Sequence, residues 1–235
     1  MPLVSGGTAI GVLALSHKTV AAFAQRDLML MQTIGAQIAA AIDVAGLHER
    51  LKRAANTDAL TGLHNYRYFY DRLEEEVARA ERRSAPLAVA FFDLDKLKNV
   101  NDTYGHLAGN EVLRILGQSI SNHVRTEDVP ARYGGDEFAA ILPNTPLTRA
   151  VQTAEHLRHV IAEATLFDME SEPGQPAQML PGVRASVGVA SYRDHLAPGG
   201  NQRRRGNVFL RLADSAMYRA KANGRNRVEV AEPEE

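Results

Sequence analysis

The chain has 235 residues, a formal net charge of −1 and no cysteine. At roughly 150 residues per domain, that length is one complete globular unit plus an additional piece. The missing thiols exclude disulfides, zinc–thiolate centres, iron–sulfur clusters and a Cys nucleophile, which suits a reducing cytoplasm. The near-zero charge excludes bulk attraction to nucleic acid or to an anionic membrane.

Residues 11–15 read as a buried strand after a Gly6-Gly7 turn. Helical spacing then runs from about Phe23 to Ala55 through Leu28, Met31, Ile34, Ile38, Ile42, Ala45 and Leu51. That helix can serve as an ordinary core helix, or it can pair with a copy of itself. Residues 8–15 have the look of a signal-peptide core, but no Lys or Arg precedes them and Ser5-Gly6-Gly7 interrupts them. Residues 28–42 are uncharged but only 15 long, with Gln32 and Gln37 inside, against roughly 20 for a spanning helix. The expectation is that neither segment is a membrane anchor. The Gly-rich turn, "IGVLAL", Phe23 and a helix ending "AAIDVAGLHERL" resemble the C-terminal end of a GAF sensory domain over about 50 residues.

The texture changes at Thr57-Asp58, followed by turn chemistry at Gly62 and Asn65. The pattern then predicts a helix over 66–83 and a central strand over 85–92 that breaks into Asp93-Leu94-Asp95. Further on come a helix over 109–124 and two strands, 129–133 and 138–142, joined as a hairpin by Gly134-Gly135-Asp136-Glu137. A helix over 148–164, a strand over 183–191, a helix over 208–223 and a short strand near 227–230 complete the chain. Residues 168–181 and 194–206 read as surface loop, Arg203-Arg204-Arg205 included. The order β-α-β-β-α-β after a leading helix predicts an α+β sandwich of ferredoxin-like type, its central sheet mostly antiparallel and flanked by helices.

Asp93 and Asp95 stand two apart at a strand end, so in extended geometry they share a face. Asp136 and Glu137 sit at the tip of a hairpin that should neighbour this strand. Carboxylates converging without thiol or imidazole point to a hard divalent ion held through oxygen. For Asp95 and Glu137, turn capping is the other reading. Residues 96–106 read as a strand-to-helix loop whose free N–H groups suit phosphate oxygens. Within it Lys98 supplies a point charge and Asn101 a donor and acceptor for a base edge. Gly134-Gly135 would tolerate positive φ and let a ligand approach the backbone.

"RYGGDEF" at 132–138 resembles the signature of GGDEF-domain diguanylate cyclases. So do "DALTGLHN" at 58–65, "FFDLDKLKNVNDTYGHLAGNEVL" at 91–113, "SVGVA" at 186–190 and "ADSAMYRAKANGRNRV" at 213–228, in family order over about 175 residues. The resemblance divides the chain into a GAF-like end with a signalling helix, 1–55, and a GGDEF domain, 56–235. It implies a nucleotidyl cyclase fold that condenses two GTP into cyclic di-GMP and two pyrophosphates, as a homodimer. Mg²⁺, with Mn²⁺ as the alternative, would be bound by Asp93, Asp136 and the Leu94 carbonyl. Asp136 would also accept the proton of the attacking hydroxyl, Lys98 would stabilise the transition state, and Glu137 would support the metal or second substrate. Asn101 and Asn110 would read guanine, and Lys96, Leu97 and His106 belong to the substrate loop. Lys221 and Arg225 would reach the terminal phosphates.

Two features qualify the carry-over. The family usually has Asp at position 110, and Asn110 keeps one acceptor with less charge assistance, which predicts some acceptance of ATP. Arg125-Thr-Glu-Asp128 has the family's RxxD spacing for product inhibition. His156 stands where a second basic residue is usual, and Arg158 is a substitute. The alternative function is a non-catalytic module that binds GTP or cyclic di-GMP.

Overall fold

The structure, a computed structural model, describes residues 1–20, 22–164, 168–169, 178–179, 182–196 and 202–234. It divides into two compact units, Met1–Ala55 and Asn56–Glu235.

The first unit contains strands β1 (Pro2–Ser5) and β2 (Thr8–Val12), followed by helix α1 (Gln25–Asn56). The expected single buried strand over 11–15 is instead a hairpin turning at Gly6-Gly7, and Val12 and Leu15 are exposed. Both turn glycines adopt positive φ, which places the reversal ahead of the apolar run. Gly35 and Ala39 are the buried positions of α1, and Met1 fills the space that a Cβ at Gly35 would take. Among the described residues, α1 is the one helix long and apolar enough to cross a membrane by length and composition.

In the second unit, β3 (His64–Asn65) leads into α2 (Tyr66–Arg83), capped by the Asn65 side chain accepting from the Tyr68 N–H at 3.0 Å. The chain continues through β4 (Leu87–Asp95), α3 (Leu97–Tyr104), α4 (His106–His123), β5 (Val129–Arg132) and β6 (Glu137–Pro143). Next are α5 (Leu147–Ala164), β7 (Asp168–Met169), β8 (Gln178–Met179) and β9 (Arg184–Ser191). The chain closes with α6 (Tyr192–His195), α7 (Gln202–Ala222) and β10 (Val228–Val230). One sheet has the order β10-β9-β4-β6-β5-β3. Its four inner strands are antiparallel, and β10 and β3 pair parallel at the edges.

Strand β4 is buried on both faces, which explains its unbroken apolar run. Leu87, Val89 and Phe91 pack with α2 and α7, while Ala88, Ala90, Phe92 and Leu94 pack with α4 and α5. Gly188 of β9 lies directly under Ala213–Met217 of α7, an approach that leaves no room for a Cβ.

Three loop expectations are corrected. Residues 97–104 form α3, because Leu97 and Val100, three apart, both reach the core despite the polar residues between them. Asp194 lies in α6, and α7 begins six residues early, at Gln202. Arg205 therefore belongs to a helix, where it pairs with Glu81 and lies over the Tyr192 ring at 4.7 Å. Within 168–181, the pair β7–β8 is antiparallel, and the rest of that stretch lies outside the described residues, as do 197–201.

His195 is buried, and its Nδ1 accepts the Ser191 N–H at 2.9 Å, so it is held neutral. Burial pushes its pKa below the usual 6.5, opposed by Asp194. The unfolded chain protonates this ring first, so stability is full above about pH 6.5 and falls as pH drops through that value. His64 is shifted down by burial as well and adds to the slope. Urea unfolding from about pH 7.5 to about 5.5 is expected to show this loss, and His195→Asn to show a shallower one.

Candidate active site

The β4–β6 register places Asp93 opposite Glu137, and the β4–β9 register places it opposite Ser186. Asp93 shares the α7 side of the sheet with Phe91 and Asp95, as strand alternation requires. On α7, Asp214 and Lys221 are seven residues apart and so share a face. Lys221 Nζ stands 2.6 Å from Asp93 Oδ2. Burial holds the Asp93 carboxyl above the ordinary range; Lys221 pulls it down, and Asp136 and Asp95 push it up. Glu137 is raised by burial and then by Asp93, Asp214 and Asp136. Asp214 is raised by burial and lowered by Lys221.

Asp95 does something different. Its two oxygens accept from Ser186 Oγ at 2.8 Å and from the Asn226 N–H at 3.0 Å, so its bonds are those of a structural carboxylate.

The hairpin turn is held from outside. Arg132 Nε donates to the carbonyls of Gly134 at 3.1 Å and Gly135 at 3.2 Å, while another guanidinium nitrogen reaches Gly135 O at 2.8 Å. Its remaining arm lies 3.2 Å from Asp58, which accepts in turn from the Thr61 N–H and hydroxyl. Asp58 is thus a turn residue and the anchor of this clamp. The Leu94 N–H donates to the Asp136 carbonyl at 3.1 Å, bringing Asp136 beside the end of β4. Gly134 and Gly135 do not use positive φ, contrary to expectation. A Cβ at Gly134 would meet the Glu137 carboxylate, and Gly135 opens onto free space.

Among the described residues, no three His, Cys, Asp or Glu side chains converge tightly enough to hold a metal by themselves. Asp93 and Asp136, with the Leu94 carbonyl, still fit a hard divalent ion. The donors are all oxygen, Asp136 helps to push the Asp93 pKa up, and Mg²⁺ usually takes one or two carboxylates beside substrate phosphates.

Lys96, φ 65°, and Arg225, φ 63°, both line a cleft of about 680 Å³ together with Asn99, Thr103, Arg184 and Asn226. Leu97 is buried, so only its peptide group is available to a ligand. Asn101 of α3 occupies the space beside Gly109 of α4. Lys98, His106 and Asn110 are exposed on these helices and do not line the cleft.

At the RxxD turn, the Asp128 N–H donates to the Arg125 carbonyl at 3.1 Å and the Arg125 N–H to Asp128 Oδ2 at 3.0 Å. Asp128 Oδ1 is buried without a partner, and burial raises this carboxyl against the pull of Arg125. His156 lies 5.5 Å from the His123 ring, near this turn. Arg158 is turned away, two residues being about 200° of helix, and its NH1 bonds Asn226 Oδ1 at 2.7 Å. It therefore does not substitute for His156.

Sequence reasoning assigned no role to Arg132 or Asp214, although both lie in quoted motifs. Asp214 shares with Glu137 and Tyr133 a cavity of about 280 Å³. Its seven-residue spacing from Lys221 was the available signal.

A family model described as "Diguanylate cyclase, GGDEF domain" matches residues 55–227. The chain belongs to the GGDEF family. A GAF-domain model matches residues 1–42, as expected for the front of the chain. The GGDEF region resembles diguanylate cyclase DgcP of Pseudomonas aeruginosa, 38% identical over 192 residues, covering 80% of this chain and 26% of that protein. Response regulator PleD of Caulobacter vibrioides is 36% identical over 174 residues, 74% of this chain and 36% of that protein. The chain thus spans well under half the length of these curated relatives. Among solved structures, the coiled coil and GGDEF domain of DgcB from Caulobacter crescentus, in complex with c-di-GMP, superposes with a TM-score of 0.73. It is 30% identical, with 86% of this chain and 99% of that one covered. Diguanylate cyclase SiaD from Pseudomonas aeruginosa, solved with its activator SiaC, gives 0.64 at 32% identity, covering 88% and 78%.

Arg132→Met would leave Asp58 and the two GGDEF-turn carbonyls without their donor. The expected cost is about 2 kcal/mol by chemical denaturation, with faster amide exchange at Asp136 and Glu137.

Proposed function

We propose that this chain is a diguanylate cyclase joining two GTP molecules into cyclic di-GMP with release of two pyrophosphates. The observation that carries this reading is the meeting of Asp93 from β4 with Asp136 and Glu137 from the hairpin, and of Lys221 with Asp93. In each half-reaction a ribose 3′-oxygen bonds to the α-phosphorus of the other GTP. The bond from that phosphorus to pyrophosphate breaks, and the hydroxyl proton passes to Asp136.

A divalent cation, Mg²⁺ or Mn²⁺, would be held by Asp93, Asp136 and the Leu94 carbonyl, and would lower the hydroxyl pKa and neutralise phosphate charge. Lys221 stands on an Asp93 oxygen, so its ammonium is the counter-charge a bound cation would replace, leaving it for a terminal phosphate. Arg225 and Lys96 face the cleft as the other phosphate cations, with the peptide group of Leu97 between strand and helix. Lys98 serves the transition state, His106 belongs to the substrate loop, and Glu137 supports the metal or second nucleotide. Asn101 and Asn110 read guanine.

Each domain binds one GTP, so the reaction needs two domains facing each other, and proximity dominates the rate. Leu30, Ile34, Val44, Leu47 and Leu51 lie exposed along α1, a surface that pairing with a second copy would bury. Residues 1–55 then act as GAF end and signalling helix, residues 56–235 as the cyclase, working in the cytoplasm where GTP is. The unpartnered Asp128 Oδ1 beside Arg125 supports product inhibition, with His156 as the second base.

Product analysis by mass spectrometry with Mg²⁺ and GTP tests the reading. Cyclic di-GMP is expected from the parent and at least about a hundredfold less from Asp136→Ala. No product at high protein concentration would favour a non-catalytic binding module.

With equal GTP and ATP, Asn110 predicts a fraction of adenine-containing product, and Asn110→Asp should suppress it by about 1–3 kcal/mol of discrimination. Product free of adenine in the parent would remove the role given to Asn110.

A further inference from the structure

Helix α7 ends in a Schellman-type cap, with Gly224 at φ 107° and the Arg225 N–H donating back to the Ala220 carbonyl at 2.9 Å. Most chains leave the left-handed region after one residue. Here Arg225 and Asn226 stay in it, at φ 63° and 46°, before the Val187 N–H takes the Arg227 carbonyl at 2.9 Å. An arginine in that region is strained, and such strain persists only where surrounding bonds over-determine the backbone.

Those bonds are present and partly buried. The Asn226 N–H donates to Asp95 Oδ2 at 3.0 Å, and Asp95 is fixed through its other oxygen by Ser186. Asn226 Oδ1 accepts from Arg158 at 2.7 Å, and Arg158 is braced by Glu155 at 2.8 Å. The side chains of Arg158 and Asp95 are only 12% and 6% exposed. Arg225, between them, is 54% exposed, and among the described residues its one near anionic contact is Asp95 at 3.8 Å. The clamp thus grips the backbone beside Arg225 and leaves the guanidinium facing the cleft.

We propose that Arg158 is a positioning residue: acting from α5 through Asn226, with Asp95 as the opposing jaw, it holds the strained turn that aims Arg225 at the terminal phosphates of the substrate. This rests on the cyclase reading above. Arg158 itself does not line the cleft, so it contributes orientation rather than a phosphate contact.

The test compares Arg158→Met, Arg158→Lys, Asn226→Ala, Arg225→Ala and the double variant Arg158→Met/Arg225→Ala. Steady-state GTP kinetics is read beside direct binding of a non-hydrolysable GTP analogue and of guanosine, which lacks phosphates. Arg158→Met and Asn226→Ala are expected to raise KM for GTP about tenfold with little change in kcat. They should weaken the analogue equally and leave guanosine binding unchanged, with Arg158→Lys recovering part of the loss. The double variant should be no worse than Arg225→Ala alone.

Effects that multiply in the double variant, or an unchanged KM in Arg158→Met, would overturn the proposal. So would equal losses for analogue and guanosine, which mark general unfolding. A parent that makes cyclic di-GMP while these outcomes fail refutes only the clamp. A parent that binds neither GTP analogue nor guanosine refutes the cyclase reading itself.

Discussion

Asp93 is a carboxylate buried at the end of the central strand, and the rest of the site is arranged around the cost of keeping it there. A buried charge without a partner is expensive, and among the described residues Lys221 on α7 supplies the close cation. For that ammonium to arrive, α7 must lie close against β9 and β4, which the missing side chain of Gly188 permits. The same packing brings Asp214 up to Glu137, so Asp93, Glu137 and Asp214 share one ammonium. A site balanced in this way favours cations and holds Asp93, Glu137 and Asp214 above their usual pKa.

Around this centre the backbone does unusual things in two places. Lys96 and Arg225 are non-glycine residues held at positive φ in the lining of one cleft. Each is followed or flanked by residues anchored in the core or in partly buried polar bonds: Leu97 in the first case, Asp95 and Asn226 in the second. The hairpin follows the same logic, because Arg132 and Asp58 hold the GGDEF turn by its carbonyls and leave the acidic side chains to face the site. In all three places, groups outside the reaction constrain the backbone, and a few exposed side chains are left for a ligand.

Much of this was legible in the one-dimensional pattern. The unbroken apolar run ending in Asp93-Leu94-Asp95, the GGDEF hairpin and the order of helices and strands all stand in the structure, because each rests on local periodicity or turn chemistry. What failed were segments where polar composition hid an amphipathic face. Residues 97–104 read as loop although Leu97 and Val100 anchor a helix, and Arg205 read as solvated although Glu81, far away in sequence, holds it. Gly134 and Gly135 read as positions of backbone freedom, whereas the constraint at Gly134 is the Glu137 side chain and Gly135 opens onto free space.

The sequence by itself determined which residue types are available: an oxygen-rich acidic set, no thiol, a signature hairpin and cationic residues near a strand end. Those follow from composition and from spacing that only local geometry reads. Tertiary structure alone decided which of them meet. It paired Lys221 with Asp93, made Asp95 a structural acceptor rather than a companion of Asp93, and turned Arg158 onto Asn226 instead of toward His156. Such pairings depend on the register of strands and the rotation of helices distant in the chain, and a period of two or 3.6 residues carries no information about either.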